Sequence, residues 1–299
     1  MDRAFLSRIN NSPYLLLTLA VLFWSGNFVL GRAVRAEVPP VGLAFWRWAI
    51  AALLVIWPAR PWIRRDWATI RRHRAIILLL AALGIAIFNT LVYAGLQFTI
   101  ALNAFLMQTM MPVMIVALSF VLFRDRISAR QALGIGFALI GAVTIIVQGD
   151  PQTLRTLSFN PGDIIIFTAV VAYAGYSVLL RKRPPMHPLS FVAMTFILGT
   201  IMLLPLYIWE SLCQRAVRGD FVTIASVAYV AVFPSICSFL CFNRGVELIG
   251  ANRAGIFLYL MPLFGGTMAI VFLGEQLKWF HGAGMVFIVS GIFLAVRRR

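Results

Sequence analysis

Acidic side chains are scarce. Only 10 Asp and Glu stand against 26 Lys and Arg in 299 residues, and charged residues of both signs make up 12% of the chain, about half the roughly 25% of a soluble domain. With 61% hydrophobic residues and a mean hydropathy of +0.90, too little charge is present to cover a water-facing globule. Cysteine is equally sparse. Cys213 falls in a loop, while Cys237 and Cys241 lie one helical turn apart in an apolar stretch with no His or carboxylate at ligand spacing. That excludes a disulfide framework and a metal site, and no cofactor is implied; the thiols read as small buried hydrophobes. His73, His187 and His281 lie in loops or at helix ends. No Ser/His pair or paired carboxylates sit within the apolar stretches, which disfavours an integral membrane enzyme.

What the chain has instead is long apolar runs. About 20 such residues span a bilayer core, and ten stretches of near that length are bounded by charge or proline: 13–33, 40–58, 75–97, 101–123, 129–148, 162–180, 188–209, 221–243, 251–273 and 279–296. The first follows Arg3 and Arg8 as a secretory signal would. From Tyr14 to Gly31 it is long for a signal core, and further spans follow it, so it reads as the first transmembrane helix. No charge occurs from Ala75 to Phe123, so Gln97 to Asn103 is read as a tight reversal between the third and fourth spans.

Basic residues fall in short runs between the spans. They do not form a stripe with interleaved aromatics, which argues against a nucleic-acid partner and for loops at an anionic membrane surface. Ten spans put both termini on one side. With the N-terminus inside, 19 Lys and Arg lie in inside segments against 6 outside, Arg47 being within the second span. The positive-inside rule then predicts cytoplasmic termini.

A repeat is visible at a shift of 150 residues. Gly95, Ala101, Ala104, Met111, Pro112, Asp125, Gly134 and Gly141 correspond to Gly245, Ala251, Ala254, Met261, Pro262, Glu275, Gly284 and Gly291. At a shift of 149, Trp24, Gly26, Arg32 and Pro39 meet Tyr173, Gly175, Arg181 and Pro188. Five spans per half, an odd number, make the halves enter the membrane in opposite directions. The expected fold is therefore an all-α membrane protein of ten transmembrane helices in two inverted five-helix repeats, residues 1–150 and 151–299. That arrangement is characteristic of secondary transporters.

The run from Ala101 through Met111-Pro112 to Phe123-Arg124-Asp125-Arg126-Ile127-Ser128, then Gly134 and Gly141, has a second copy. It runs Ala251, Met261-Pro262, Leu273-Gly274-Glu275-Gln276-Leu277, Gly284 and Gly291. With Phe23-Trp24-Ser25-Gly26-Asn27-Phe28 and Arg47, this pattern resembles the EamA family of the drug/metabolite transporter superfamily over nearly the whole chain. Within it the nearest likeness is to bacterial YddG-type amino acid exporters. The resemblance implies export of amino acids, aromatic ones among them, and related metabolites across the bacterial inner membrane, with a multidrug exporter as the alternative. The first copy departs in carrying Arg124 where the second has Gly274, which bears on the turn there.

Polar and aromatic side chains inside spans are costly in lipid and mark candidate pathways. The candidates are Trp24 and Asn27, Asn89 and Tyr93, Gln108, Tyr173 and Tyr176, Ser238 and Asn243, and Tyr259. Each taken alone is equally readable as an interhelical hydrogen bond or an interfacial aromatic. The repeat pairs Trp24 with Tyr173, Asn27 with Tyr176 and Tyr93 with Asn243, so a shared central cavity is expected. Its neutral, aromatic and amide lining suits neutral or zwitterionic solutes such as amino acids. Pro112 and Pro262 free the carbonyls of Gln108 and Leu258 and are candidate hinges. Paired glycines at 134 and 141, and at 284 and 291, read as close helix packing. Arg47 reads mainly as structural support, and Glu247, flanked by Arg244 and Arg253, as one side of an ion pair.

Overall fold

The structure, a computed structural model, describes residues 11–34, 38–99, 101–157, 160–214, 216–273 and 276–296. Helices account for nearly all of them. α1 is Pro13–Val34, α2 is Pro40–Arg72, and α3 covers 74–96, running from Arg74–Ala81 through a π-helical segment, Ala82–Ile87, into Phe88–Leu96. α4 joins Ala101–Thr109 to Met111–Phe123, and α5 is Ala129–Ile146. After a single turn at Gln152–Arg155, α6 is Pro161–Leu179 with a 3₁₀ end, Leu180–Lys182, and α7 is Pro188–Cys213. α8 joins Phe221–Val230, a π segment Ala231–Cys237, and Ser238–Ile249. α9 covers Ala251–Ile256, a 3₁₀ turn Phe257–Tyr259, and Leu260–Leu273, and α10 is Trp279–Val296.

Local chemistry sets these boundaries. Pro40, Pro161 and Pro188 open α2, α6 and α7, where a missing N–H costs nothing. Ser128 caps α5 by accepting from Gln131 N–H, and Asn160 with Asp163 forms a capping box on α6. Arg124 ends α4 at φ 58, in the left-handed region that glycine adopts freely and that costs an L-residue roughly 1 kcal/mol. The turn thus keeps the geometry a glycine would take.

Three boundaries differ from expectation: α7 runs on to Cys213, which puts that thiol on helix and not in a loop, α8 runs on to Ile249, and α2 departs most. α2 does not stop at Pro58 but continues through Pro58 and Pro61 to Arg72, carrying Arg60, Arg64, Arg65 and Arg71 on helix instead of loop. Tertiary contacts offset the two lost backbone bonds. Trp62 stacks on His187 at 3.9 Å, and Asp66 accepts the His187 backbone N–H at 2.9 Å.

Seven helices among the described residues are long and apolar enough to cross a membrane, namely α2, α3, α5, α6, α7, α8 and α10; Pro13–Asn27 and Met111–Phe123 are shorter apolar helices. α4 breaks at Met110, just ahead of Pro112, and α9 passes through its 3₁₀ turn just ahead of Pro262. Leu53, Trp57, Val121, Ile164, Leu212, Val286 and Phe293 are among the many large apolar side chains left exposed, an outer surface suited to lipid and not to water.

Helix partners recur with the halves exchanged. α1 packs on α8 and α9 as α6 packs on α3 and α4, while α2 pairs with α7 and α5 with α10. The α5–α10 contact is a glycine seam: a Cβ on Gly134 would meet the Gly291 carbonyl oxygen at 2.5 Å, and one on Gly141 the Gly284 carbonyl at 2.6 Å. The two π segments, in α3 and α8, also fall 150 residues apart in the chain.

Candidate functional site

The core of the molecule is an aromatic layer where α1, α6 and α8 meet. Trp24 of α1 stands edge-on to Tyr173 of α6 at 5.9 Å between ring centroids and packs on Phe242 of α8 at 5.2 Å. Tyr173 also touches Tyr176 and Phe88, and Phe239 links the layer to Trp48.

Polar atoms in this layer are mostly engaged with the backbone that the π segments open up. Pro234 in the α8 π segment has a carbonyl that accepts from Trp24 Nε1 at 2.9 Å and from Arg47 Nη2 at 3.2 Å. Arg47 Nε donates to Ser235 Oγ at 2.6 Å, its Nη1 donates to Asn27 Oδ1 at 3.4 Å, and its guanidinium lies over the Trp48 ring. Arg47 therefore braces the unwound stretch of α8. Asn89 Nδ2 donates to the Ile85 carbonyl in the α3 π segment, and Ser238 Oγ donates to the carbonyls of Ala20 and Phe233. For Asn89 and Ser238, then, the bonds in this structure are helix-supporting ones.

The other candidates fall in two places. Tyr176 donates its hydroxyl to Asn243 Oδ1 at 2.8 Å, whereas the Tyr173 hydroxyl is buried with no partner among the described residues. Gln108 and Tyr259 sit together with Pro112 and Pro262 around a cavity of about 30 Å³ between α4 and α9, room for roughly one water molecule. The Tyr259 hydroxyl is likewise buried without a partner. The side chain of Tyr93 lies outside the described residues, as does Glu275.

Trp24, Tyr173, Tyr176 and Asn243 thus form one contiguous cluster, 8%, 4%, 1% and 5% exposed. Trp24, Tyr173 and Tyr176 pack on one another instead of lining open space. The open space is adjacent, a vestibule of about 690 Å³ at the ends of α4, α6 and α8, with Ser177 and Asn243 on its wall. Around it stand Asp125, Arg126, Arg181, Arg183, Glu247 and Arg253. Asp125 pairs with Arg181 at 2.9 Å, and Glu247 with Arg183 at 3.3 Å and Arg244 at 3.1 Å. The ion pair expected of Glu247 forms with Arg244, and with Arg183 in place of Arg253; what the sequence did not reveal is that these arginines meet around one space, although Asp125 in the repeated motif was a cue that the α4 end carries a built feature. Sequence reasoning also passed over Gly84, whose missing side chain admits the Tyr176 ring: a Cβ there would lie 2.6 Å from Cδ2.

Described buried carboxylates lie at helix ends. Glu210 caps α2 and Asp163 caps α6, where Thr99 Oγ1 also donates to it. Nothing in this set resembles a catalytic constellation; an open vestibule adjoins a closed aromatic layer.

Comparison with known proteins agrees. The model of the EamA-like transporter family matches residues 11–147 and again 160–297. The uncharacterized transporter YyaM of Bacillus subtilis (strain 168) is 30% identical over 286 residues, 94% of this chain and 92% of that one. A probable terminal-alkyne amino-acid exporter of Streptantibioticus cattleyicolor is 25% identical over 283 residues, 94% of this chain and 92% of that one. A solved crystal structure superposes with a TM-score of 0.79 at 18% identity, covering 95% of this chain and 96% of that one, which establishes likeness of fold. The chain belongs to the EamA-like transporter family of the drug/metabolite transporter superfamily and is a transporter, not an enzyme.

Proposed function

We propose that this transporter exports amino acids, aromatic ones among them, across the bacterial inner membrane by alternating access. Residues 1–150 and 151–299 act as two inverted five-helix halves, and both termini face the cytoplasm. The observation that carries the reading is the relation of the closed layer to the open vestibule. A vestibule of about 690 Å³ at the arginine-rich end stops at the Tyr176–Asn243 bond, as expected of a carrier open to one side and shut to the other.

The exchanged helix pairing supports the inverted halves, because α1 meets α8 and α9 as α6 meets α3 and α4, the relation expected of two copies of one five-helix unit. The relative named as a probable amino-acid exporter supports the solute class. Among the described residues, the buried acids cap helix starts and lie away from mid-span, which supports facilitated or exchange transport without a carboxylate proton carrier.

Uptake of an amino acid panel into proteoliposomes, with and without a proton gradient, tests this. Transport of aromatic amino acids at similar rates in both conditions is expected. Transport of none of the panel sinks the proposal, and strict gradient dependence abolished by Glu247→Gln sinks the mechanism. A C-terminal reporter fusion reading out on the periplasmic side would overturn the topology.

A further inference from the structure

The vestibule holds polar groups that the rest of the fold leaves unused. Asn243 Nδ2, Gln131 Nε2 and Asn252 Oδ1 are buried without a hydrogen-bond partner among the described residues, and all three side chains line this one cavity. An unmade bond at a buried polar atom is costly, so three of them around one space call for an occupant that supplies the partners. Asn243 is the most constrained. Its Oδ1 is taken by the Tyr176 hydroxyl, which leaves Nδ2 as the unmade donor of a side chain that lines the vestibule.

Charge on the wall narrows the occupant. Both carboxylates are engaged, Asp125 by Arg181 and Glu247 by Arg183 and Arg244. Arg126 and Arg253 line the same space with no ion pair among the described residues. Two arginine side chains and two unpartnered amide nitrogens therefore line the space against one unpartnered amide oxygen, Asn252 Oδ1. Such a donor-rich wall matches a carboxylate. Beyond Asn243, Tyr176 leads to Tyr173 and Phe242, surroundings for an apolar body and not for a sugar or a second charged group.

We infer that the vestibule is an intake site that selects solutes by their carboxylate, with Asn243 Nδ2 as the donor at its floor and Arg126 and Arg253 supplying the counter-charge. The inference rests on the export reading above for its direction, and it adds the recognition rule: the carboxylate is required and the ammonium is not.

The test uses the full chain in nanodiscs with Cys213, Cys237 and Cys241 replaced by alanine and one reporter thiol, Asn252→Cys, with Gln131→Cys as a second. Labelling by a water-soluble maleimide is followed with L-phenylalanine, phenylpyruvate or phenethylamine, which share an aromatic body and differ in the head group. Phenylpyruvate and phenylalanine should slow labelling, and phenethylamine should not. Adding Asn243→Asp, or Arg253→Gln where that variant does not fold, should raise the half-protecting concentration by about tenfold or more. Equal protection by phenethylamine, equal protection by inorganic phosphate, absence of protection by any of them, or indifference to both variants would overturn the inference. Because the readout is binding, protection that survives alongside failure of every amino acid in the uptake assay would sink the export reading and leave this site standing.

Discussion

Glu210 and Asp66 perform one task at opposite ends of the α2–α7 pair. Glu210, near the end of α7, accepts the backbone N–H groups of Val41 and Gly42 at 3.0 and 2.6 Å, at the start of α2. Asp66, near the end of α2, accepts the N–H of His187 at the start of α7. Each helix thereby places a carboxylate on the other's positive N-terminal end, where free N–H groups and the helix dipole favour an anion. Removing the buried member should cost more. Glu210→Ala is expected to lower stability by roughly 1.5 to 3 kcal/mol, since it strips the charged partner from one buried and one part-buried donor; Asp66→Ala should cost about 1 kcal/mol. Thermal unfolding in detergent reads both, and a Glu210→Ala protein melting like the parent would show that the clamp contributes nothing.

His187 makes the α7 end of this clamp sensitive to pH. Its Nδ1 accepts from Leu189 N–H at 3.3 Å, a role that needs an unprotonated nitrogen. Burial against Trp62 holds the imidazole below its ordinary value of 6.5, Asp66 opposes that, and Arg65 reinforces it. A folded-state pKa below the unfolded one means the native protein binds fewer protons. The stabilisation is complete above pH 6.5 and is lost as pH falls through the lowered folded value. The loss should be about 0.5 to 1 kcal/mol, the size of one helix cap. Melting points taken between pH 7.5 and pH 5 should fall in the parent, and the His187→Asn protein, which keeps a cap without titrating, should lose less over the same range.

The glycine seam separates packing from conformational freedom. Gly134 and Gly291 sit carbonyl to Cα across α5 and α10, so a methyl group at either would meet backbone at 2.5 Å, whereas a Cβ at Gly136, two residues on from Gly134, has nothing within 4 Å. Gly134→Ala and Gly291→Ala should each destabilise by about 1 to 3 kcal/mol through overpacking. Gly136→Ala should be neutral or stabilise by up to about 1 kcal/mol, because alanine favours helix. Equal melting points for Gly134→Ala and Gly136→Ala would show that the helices shift apart at no cost.

That seam was legible in the chain because a seven-residue glycine spacing fixes one helix face whatever surrounds it. Helix starts at Pro40, Pro161 and Pro188 were legible for the same local reason. The extension of α2 past Pro58 was not, since it depends on Trp62 and Asp66 meeting α7, contacts over 120 residues away in sequence. The π segment in α3 left no mark either, as Ala82–Ile87 contains no proline, and only Pro234 hinted at its counterpart. Of the site, Trp24 and Tyr173 do meet at positions the repeat pairs, but their rings touch edge to face where a cavity between them was expected. The arginine vestibule did not, because loop arginines report topology so strongly that their convergence in space goes unseen.

Tyr173 offers the sharpest separation of function from stability. Its ring packs against Trp24, Phe88, Tyr176 and Phe242, but its hydroxyl has no partner among the described residues. A buried hydroxyl without a hydrogen bond costs about 1 to 3 kcal/mol. Tyr173→Phe keeps the ring and removes that cost, so the folded protein should be as stable as the parent or more stable by about 1 kcal/mol. A purely structural tyrosine would then leave transport untouched. If the hydroxyl instead meets the solute when the layer opens, the same variant should transport more slowly or with a higher KM, by roughly tenfold for a bond to a charged group. Tyr176→Phe is the control for the opposite case. Its hydroxyl already holds Asn243, so that variant should lose stability as well as transport. Proteoliposome kinetics and melting points measured on the same preparations decide between them, and a Tyr173→Phe carrier with parental KM and rate would remove Tyr173 from the solute path.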